Sequence, residues 1–204
     1  MRTRLKHLIF TATLATVTVF TYAQTTASQS PAIDPALVAK ANAGDAVAQV
    51  AVGERYAAFA AELRNAAEVG EAYKAAAEWY RKAALQSFIL GEMHLATLYR
   101  DGGKGFPRDM AQAAEWYRKA ADQGDVTAQG TLGLLYSIGQ GVPQNDVEAY
   151  FWLDLAASVK GPKQQQYAAN RQMVGTHITT TELEDLEERV AKWIAAHPRP
   201  KTAE

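Results

Sequence analysis

The octapeptide Ala77-Glu-Trp79-Tyr80-Arg-Lys-Ala83-Ala84 returns 37 residues later as Ala114-Glu-Trp116-Tyr117-Arg-Lys-Ala120-Ala121. A looser copy, Tyr150-Phe-Trp152-Leu153-Asp-Leu-Ala156-Ala157, follows after another 36. A fixed period of this length restricts a chain to architectures in which one supersecondary unit stacks on the next. Each copy also carries an Ala three residues before its Trp: Ala76, Ala113 and Ala149. Ala, Trp, Ala and Ala at i, i+3, i+7 and i+8 fall on one face of a helix. The Trp is the knob there, and the small residues let a neighbouring helix come close.

A second signature precedes the first in every unit. It reads Ala48-x3-Val52-Gly53-x2-Tyr56, Gly91-x3-Leu95-Ala96-x2-Tyr99 and Ala128-x3-Leu132-Gly133-x2-Tyr136. Offsets of 4, 5 and 8 again make one helical stripe, so each unit is a helix A, a loop and a helix B. The loops Asp101 to Asp109 and Ser137 to Asp146 match closely. Gly102, Gly103, Gly105, Gly139 and Gly141 can take the positive φ that ends a helix. Pro107 and Pro143 block continuation, and Asp109 and Asp146 are placed to N-cap helix B. Asp34 and Pro35 open a short preceding helix, and Ala43-Gly44-Asp45 closes it. The first unit departs from the pattern. Tyr56 and Trp79 are 23 residues apart, against 17 and 16 in the later units, and the intervening Ala57 to Tyr73 lacks a Gly-x-Gly turn. Either helix A runs on there, or a longer helical connection packs differently.

These two helices, with a Gly-x-Gly-Val-x2-Asp-type loop between them, resemble Sel1-like repeats, relatives of the tetratricopeptide repeat. The resemblance covers about residues 45–158. It implies an all-α protein: an α-solenoid of antiparallel helix pairs, about three repeats long. Composition agrees, because Ala, Leu, Glu, Gln, Lys and Arg are strong helix formers. Residues 34–158 are read as the solenoid and 159–204 as a C-terminal helical cap and tail. In the cap, Gln164 to Val174 forms one helix. Thr181-x2-Glu184 is a capping box for a second, with Leu183, Leu186, Val190, Trp193 and Ile194 on one face and His197-Pro198 at its end. A solenoid needs such an element to cover its apolar end.

The N-terminus reads as an address. Arg2, Arg4 and Lys6 precede an uncharged stretch from Leu8 to Tyr22, and Thr21-Tyr22-Ala23 places small residues at −3 and −1. This is the layout of a secretory signal peptide over residues 1–23, with a flexible leader over 24–33. The uncharged stretch is shorter than the ~20 residues that span a bilayer, so no stable membrane insertion is expected after cleavage. The expected location is periplasmic or secreted. Without residues 1–23 the chain holds 18 basic and 22 acidic side chains, a net charge of −4. No basic patch is evident, which argues against a nucleic-acid partner.

The chain has no Cys, which excludes disulfides, thiolate metal sites and a Cys nucleophile. None of His7, His94, His177 and His197 has ligand spacing with another His or a carboxylate pair. There is no P-loop, Gly-x-Ser-x-Gly or Ser-x2-Lys motif. Glu182, Glu184, Asp185, Glu187 and Glu188 form an acidic run, read as a helix N-terminus and a solvated face. No catalytic, cofactor-binding or metal-binding residue is therefore assigned, no cofactor is expected, and the chain is read as not an enzyme. Trp79, Trp116 and Trp152 are assigned to the core. Tyr73, Met93 and Phe106 are left as candidates for exposed contact. Cysteine-rich Sel1-like proteins linked to β-lactams rest on a disulfide in each repeat, so that activity does not carry over.

The resemblance implies protein–protein interaction, with a partner held in a concave groove lined mainly by helix A. The expected role is a periplasmic adaptor or regulator. The alternatives are an immunity protein that neutralises a secreted toxin, a cell-envelope hydrolase, and a purely structural spacer.

Overall fold

The computed structural model describes residues 30–198, in which every regular element is an α-helix. The order is α1 (Pro35–Asn42), α2 (Ala46–Glu62), α3 (Ala66–Ala84), α4 (Ile89–Asp101), α5 (Met110–Asp122), α6 (Val126–Ile138), α7 (Asp146–Ala157), α8 (Gln164–Gly175) and α9 (Thr180–Ala196). Consecutive helices from α1 to α8 pack on one another, and α9 docks on α7. Helix A of one unit also touches helix A of the next, α2 on α4, and α6 meets α8 in the same way. The signal-peptide reading and residues 24–29 of the leader lie outside the described residues.

Short polar side chains start most helices by accepting an otherwise orphaned backbone N–H. Asp34 takes Ala36 N–H, Asp45 takes Ala48, Asn65 takes Ala67, Asp109 takes Gln112 and Asp125 takes Ala128, at 2.7–3.0 Å. Two expected caps move. Helix α7 is capped by Asn145, whose Oδ1 accepts Glu148 N–H at 3.0 Å, so Asp146 becomes the first helical residue. Helix α9 begins two residues early, and its capping box is Thr179 with Glu182 rather than Thr181 with Glu184.

The first unit resolves in favour of longer helices. Helix α2 runs on to Glu62, and α3 starts at Ala66, so only Leu63, Arg64 and Asn65 separate them. The extra turns of α3 lie under the loop of the second unit. A Cβ on Gly105 would sit 2.5 Å from the Ala66 carbonyl oxygen and 2.9 Å from Gly70 Cα. Gly105 also has φ +74°, so both space and backbone conformation call for glycine there.

The core runs through the stack as one apolar seam that includes Tyr80, Leu95, Trp116, Tyr117, Leu132, Phe151, Trp152 and Leu155. Trp116 and Trp152 are buried as expected. Trp79 is only half-buried: it packs against Ala41, Ala48 and Val52. Its outer face carries the Lys82 ammonium, 3.6 Å from the ring centroid. At this end only the short α1 lies beyond α2, so there is less protein to close over the ring. Ile194, expected on the buried face of α9, is exposed, whereas Leu186 and Val190 are buried.

A recurrent polar contact ties the units together. Gln49 donates its side-chain N–H to the Ala41 carbonyl at 3.0 Å, Gln129 to Ala121 at 3.2 Å and Gln164 to Ala157 at 3.1 Å. Each bonds the last turn of the preceding helix from the first turns of the next, and so satisfies part of a helix C-terminus.

Candidate interaction face

Helix B contributes a Tyr that lies between two helices A. The Tyr80 ring stacks on His94 of α4, centroids 4.9 Å apart. It also fills the space beside Gly53 of α2, where a Cβ would come within 2.6 Å of its ring. His94 Nε2 lies 3.2 Å from the Glu54 carboxylate, so this row links α2 to α4 across the buried Tyr80. Burial, and then the Glu54 charge, push the Tyr80 phenol far above its usual range, so it stays neutral.

The next unit repeats the arrangement with different partners. Tyr117 Oη is 3.2 Å from Thr97 Oγ1 and accepts an N–H from Arg100 at 3.0 Å. Arg100 is itself held by Asp101 at 2.7 Å. Burial raises the Tyr117 proton affinity, against the Thr97 hydrogen bond and the Arg100 charge. The result is a half-exposed strip of alternating acceptors and donors, Glu54, His94, Thr97 and Arg100, over a floor of two fixed tyrosines. A second row forms where Arg81 donates to Tyr99 Oη at 2.5 Å and Arg118 lies 5.3 Å from the Tyr136 ring centroid. Arg81 and Arg118 occupy the same place in the repeated octapeptide, so the repeat sets this spacing.

The three residues left for exposed contact divide. Phe106 is buried at 7% exposure and meets Tyr73 and Tyr99 at centroid distances of 6.4 and 5.7 Å. It anchors the Gly-x-Gly turn and is a core residue. Tyr73 and Met93 are half-buried and pack against the core. The signal for Phe106 was in its register, since Val142 stands at the same place after the second turn.

The acidic run yields no shared site. Glu182 accepts Thr179 N–H, which holds its carboxyl below the usual range, and Glu188 is lowered by its bond to Lys192. Among the described residues no three His, Cys, Asp or Glu side chains gather as a metal site, and no helix is long and apolar enough to cross a membrane. Sequence reasoning missed a cleft of about 540 Å³ beside α8, lined by Tyr150, Ala168, Arg171, Gly175 and Leu183. Arg171 pairs with Asp154 at its edge.

Three consecutive segments, residues 67–88, 89–125 and 127–158, match the Sel1 repeat. The chain carries Sel1 repeats over these three segments. The first matched segment covers α3 and omits α2, in line with the long first unit. A solved protective antigen present in uropathogenic Escherichia coli strains, displaying an SLR fold, is 30% identical with a TM-score of 0.62. That match covers 82% of this chain and 36% of the antigen, so this chain spans little more than a third of the antigen's length. A solved Sel1 repeat protein from Oxalobacter formigenes is 28% identical with a TM-score of 0.53, over 66% of this chain and 95% of that one. Comparison with curated proteins gave no match. Sel1-repeat folds serve generally as protein–protein interaction modules.

Proposed function

We propose that this chain is an exported adaptor or regulator that holds a partner protein along its helix-A face in the periplasm. The observation that carries the reading is the strip Glu54, His94, Thr97 and Arg100. Its donors and acceptors come from two consecutive helices A and are fixed from below by Tyr80 and Tyr117. Preorganised polar groups over a rigid apolar seam suit a partner segment laid across the helices, because little side-chain entropy is lost on binding. Export rests on the basic, then uncharged, N-terminus with its small-residue junction.

The test is capture from a periplasmic extract by the wild-type protein and by a Thr97→Arg variant. Thr97 is half-exposed, so the longer side chain obstructs the strip without entering the core. The expected outcome is loss of the captured partner from a protein that still folds, its stability lowered by no more than the ~1 kcal/mol of the lost Thr97–Tyr117 hydrogen bond. Retained capture by the variant would move the contact surface elsewhere, and turnover of an envelope substrate by the purified protein would replace the adaptor reading with an enzymatic one.

A further inference from the structure

At three junctions in the stack, the incoming helix sets a polar side chain against the end of the outgoing one: glutamines 49, 129 and 164 each donate an N–H to a carbonyl of the preceding helix. At a fourth junction, between α3 and α4, the register of Gln49 and Gln129 is held by Glu92. It follows Ala84 by eight residues, as Gln49 follows Ala41 and Gln129 follows Ala121. A second contact marks the same carbonyls: Gly44, Ser87 and Gly124 donate backbone N–H to Ala41, Ala84 and Ala121 at 3.1, 2.9 and 2.9 Å. The first turn of α4 also sits close on the end of α3. A Cβ on Gly91 would fall 2.8 Å from Ala84 N. Glu92 is 2% exposed, and its Oε2 accepts Gln123 Nε2–H at 2.7 Å.

An ionised carboxylate has no hydrogen to donate, whereas a carboxylic acid has one O–H. At a position where each counterpart donates to a carbonyl, the ionised form sets acceptor against acceptor in a buried place. The end of α3 adds the partial negative charge of a helix C-terminus. We propose that Glu92 is the acid form of the repeated glutamine, donating its carboxyl hydrogen to the Ala84 carbonyl, and that its ionisation loosens the junction between the first and second repeats. The reaction is a plain proton loss to solvent.

The surroundings point the same way. Burial raises the proton affinity of Glu92 and the nearby Asp122 carboxylate adds to it, while Lys119 and the Gln123 hydrogen bond oppose. Lys119 and Asp122 both belong to α5. Asp122 is itself raised by burial, against the pull of Arg118 and His197. A group that binds its proton more tightly in the folded state stabilises the fold fully below the ordinary carboxylate range. That stabilisation is lost as pH climbs through the raised value. Because Asp122 contributes in the same direction, the wild-type profile alone is not diagnostic, and the difference between wild type and Glu92→Gln isolates Glu92.

The experiment is a pair of measurements on the whole protein. Carbon-13 NMR follows the Glu92 carboxyl through a pH titration, and denaturant melts of wild type and Glu92→Gln are recorded over the same range. The expected result is titration of Glu92 above the usual carboxylate range, with the midpoint of Glu92→Gln exceeding that of wild type by a margin that grows with pH. Titration in the ordinary range overturns the proposal, as does a margin that is independent of pH. If Glu92→Gln does not fold, the wild-type titration decides alone.

Discussion

At the scale of single residues, the turn between α3 and α4 departs from its siblings more than once. Gly44 and Gly124 hold φ of +98° and +91° where their turns reverse, and the matching residue here is Ser87 at +57°. A side chain in the left-handed region costs roughly 1–2 kcal/mol, less for small polar residues. Asp45 and Asp125 cap the following helices, whereas the N-cap of α4 is Phe88, which makes no side-chain cap bond. Glu92 then stands for glutamine four residues on. Ser87→Gly should therefore raise stability by about 0.5–1 kcal/mol in denaturant melts, the relief of strain exceeding the added entropy of the unfolded chain. A loss of stability would show that the serine is held there by contacts that outweigh its backbone.

At the scale of elements, the helix-B signature is legible because it is a packing rule. Trp with small residues at −3, +4 and +5 is the pattern of a helix that inserts one large ring and otherwise allows close approach. How deeply each ring is covered depends on neighbours that the signature does not contain. Trp116 has a full unit on either side and is 6% exposed, while Trp79 has only α1 and α2 before it and stays half-buried. Trp116→Ala should cost about 3–5 kcal/mol, as for a buried aromatic. Trp79→Ala should cost about 1–2 kcal/mol, the partial burial together with the Lys82 contact. Melts giving equal losses would refute the difference in burial. Other misses share this origin. Asn145 and Asp146 are both good caps, as are Thr179 and Thr181. The choice between neighbours falls to where the incoming chain allows the first helical turn to close. Phe106 reads as a surface aromatic because it sits in a glycine-rich turn, yet the turn folds its ring back onto Tyr73 and Tyr99. The strip of Glu54, His94, Thr97 and Arg100 was not legible at all. Those positions differ from unit to unit, and only the stacking of α2 on α4 brings them side by side.

At the scale of the molecule, a stack of helix pairs has an apolar end that another element must cover, and α9 covers it on α7. Leu186 and Val190 are 2% and 8% exposed and join the seam that contains Phe151 and Trp152. Arg189 fixes the docking angle. Its guanidinium meets both Glu148 oxygens at 2.6 and 3.1 Å and lies 3.8 Å from the Phe151 ring centroid. The fork matches the carboxylate, and the ring contact shields one face of the cation from water. Arg189→Ala should lower stability by about 1–2 kcal/mol, the ion-pair share shrinking as salt is raised and the share from lost packing persisting. Ending the chain after Ile178 removes Leu186 and Val190 as well, worth about 1.5–3 kcal/mol apiece when fully buried. That chain should lose about 4–8 kcal/mol in all and self-associate through the uncovered seam, visible as earlier elution in size-exclusion chromatography. A truncated chain that stays monomeric and keeps its midpoint would show that the repeats close their own end, and α9 would then be an appendage of the stack and not its cap.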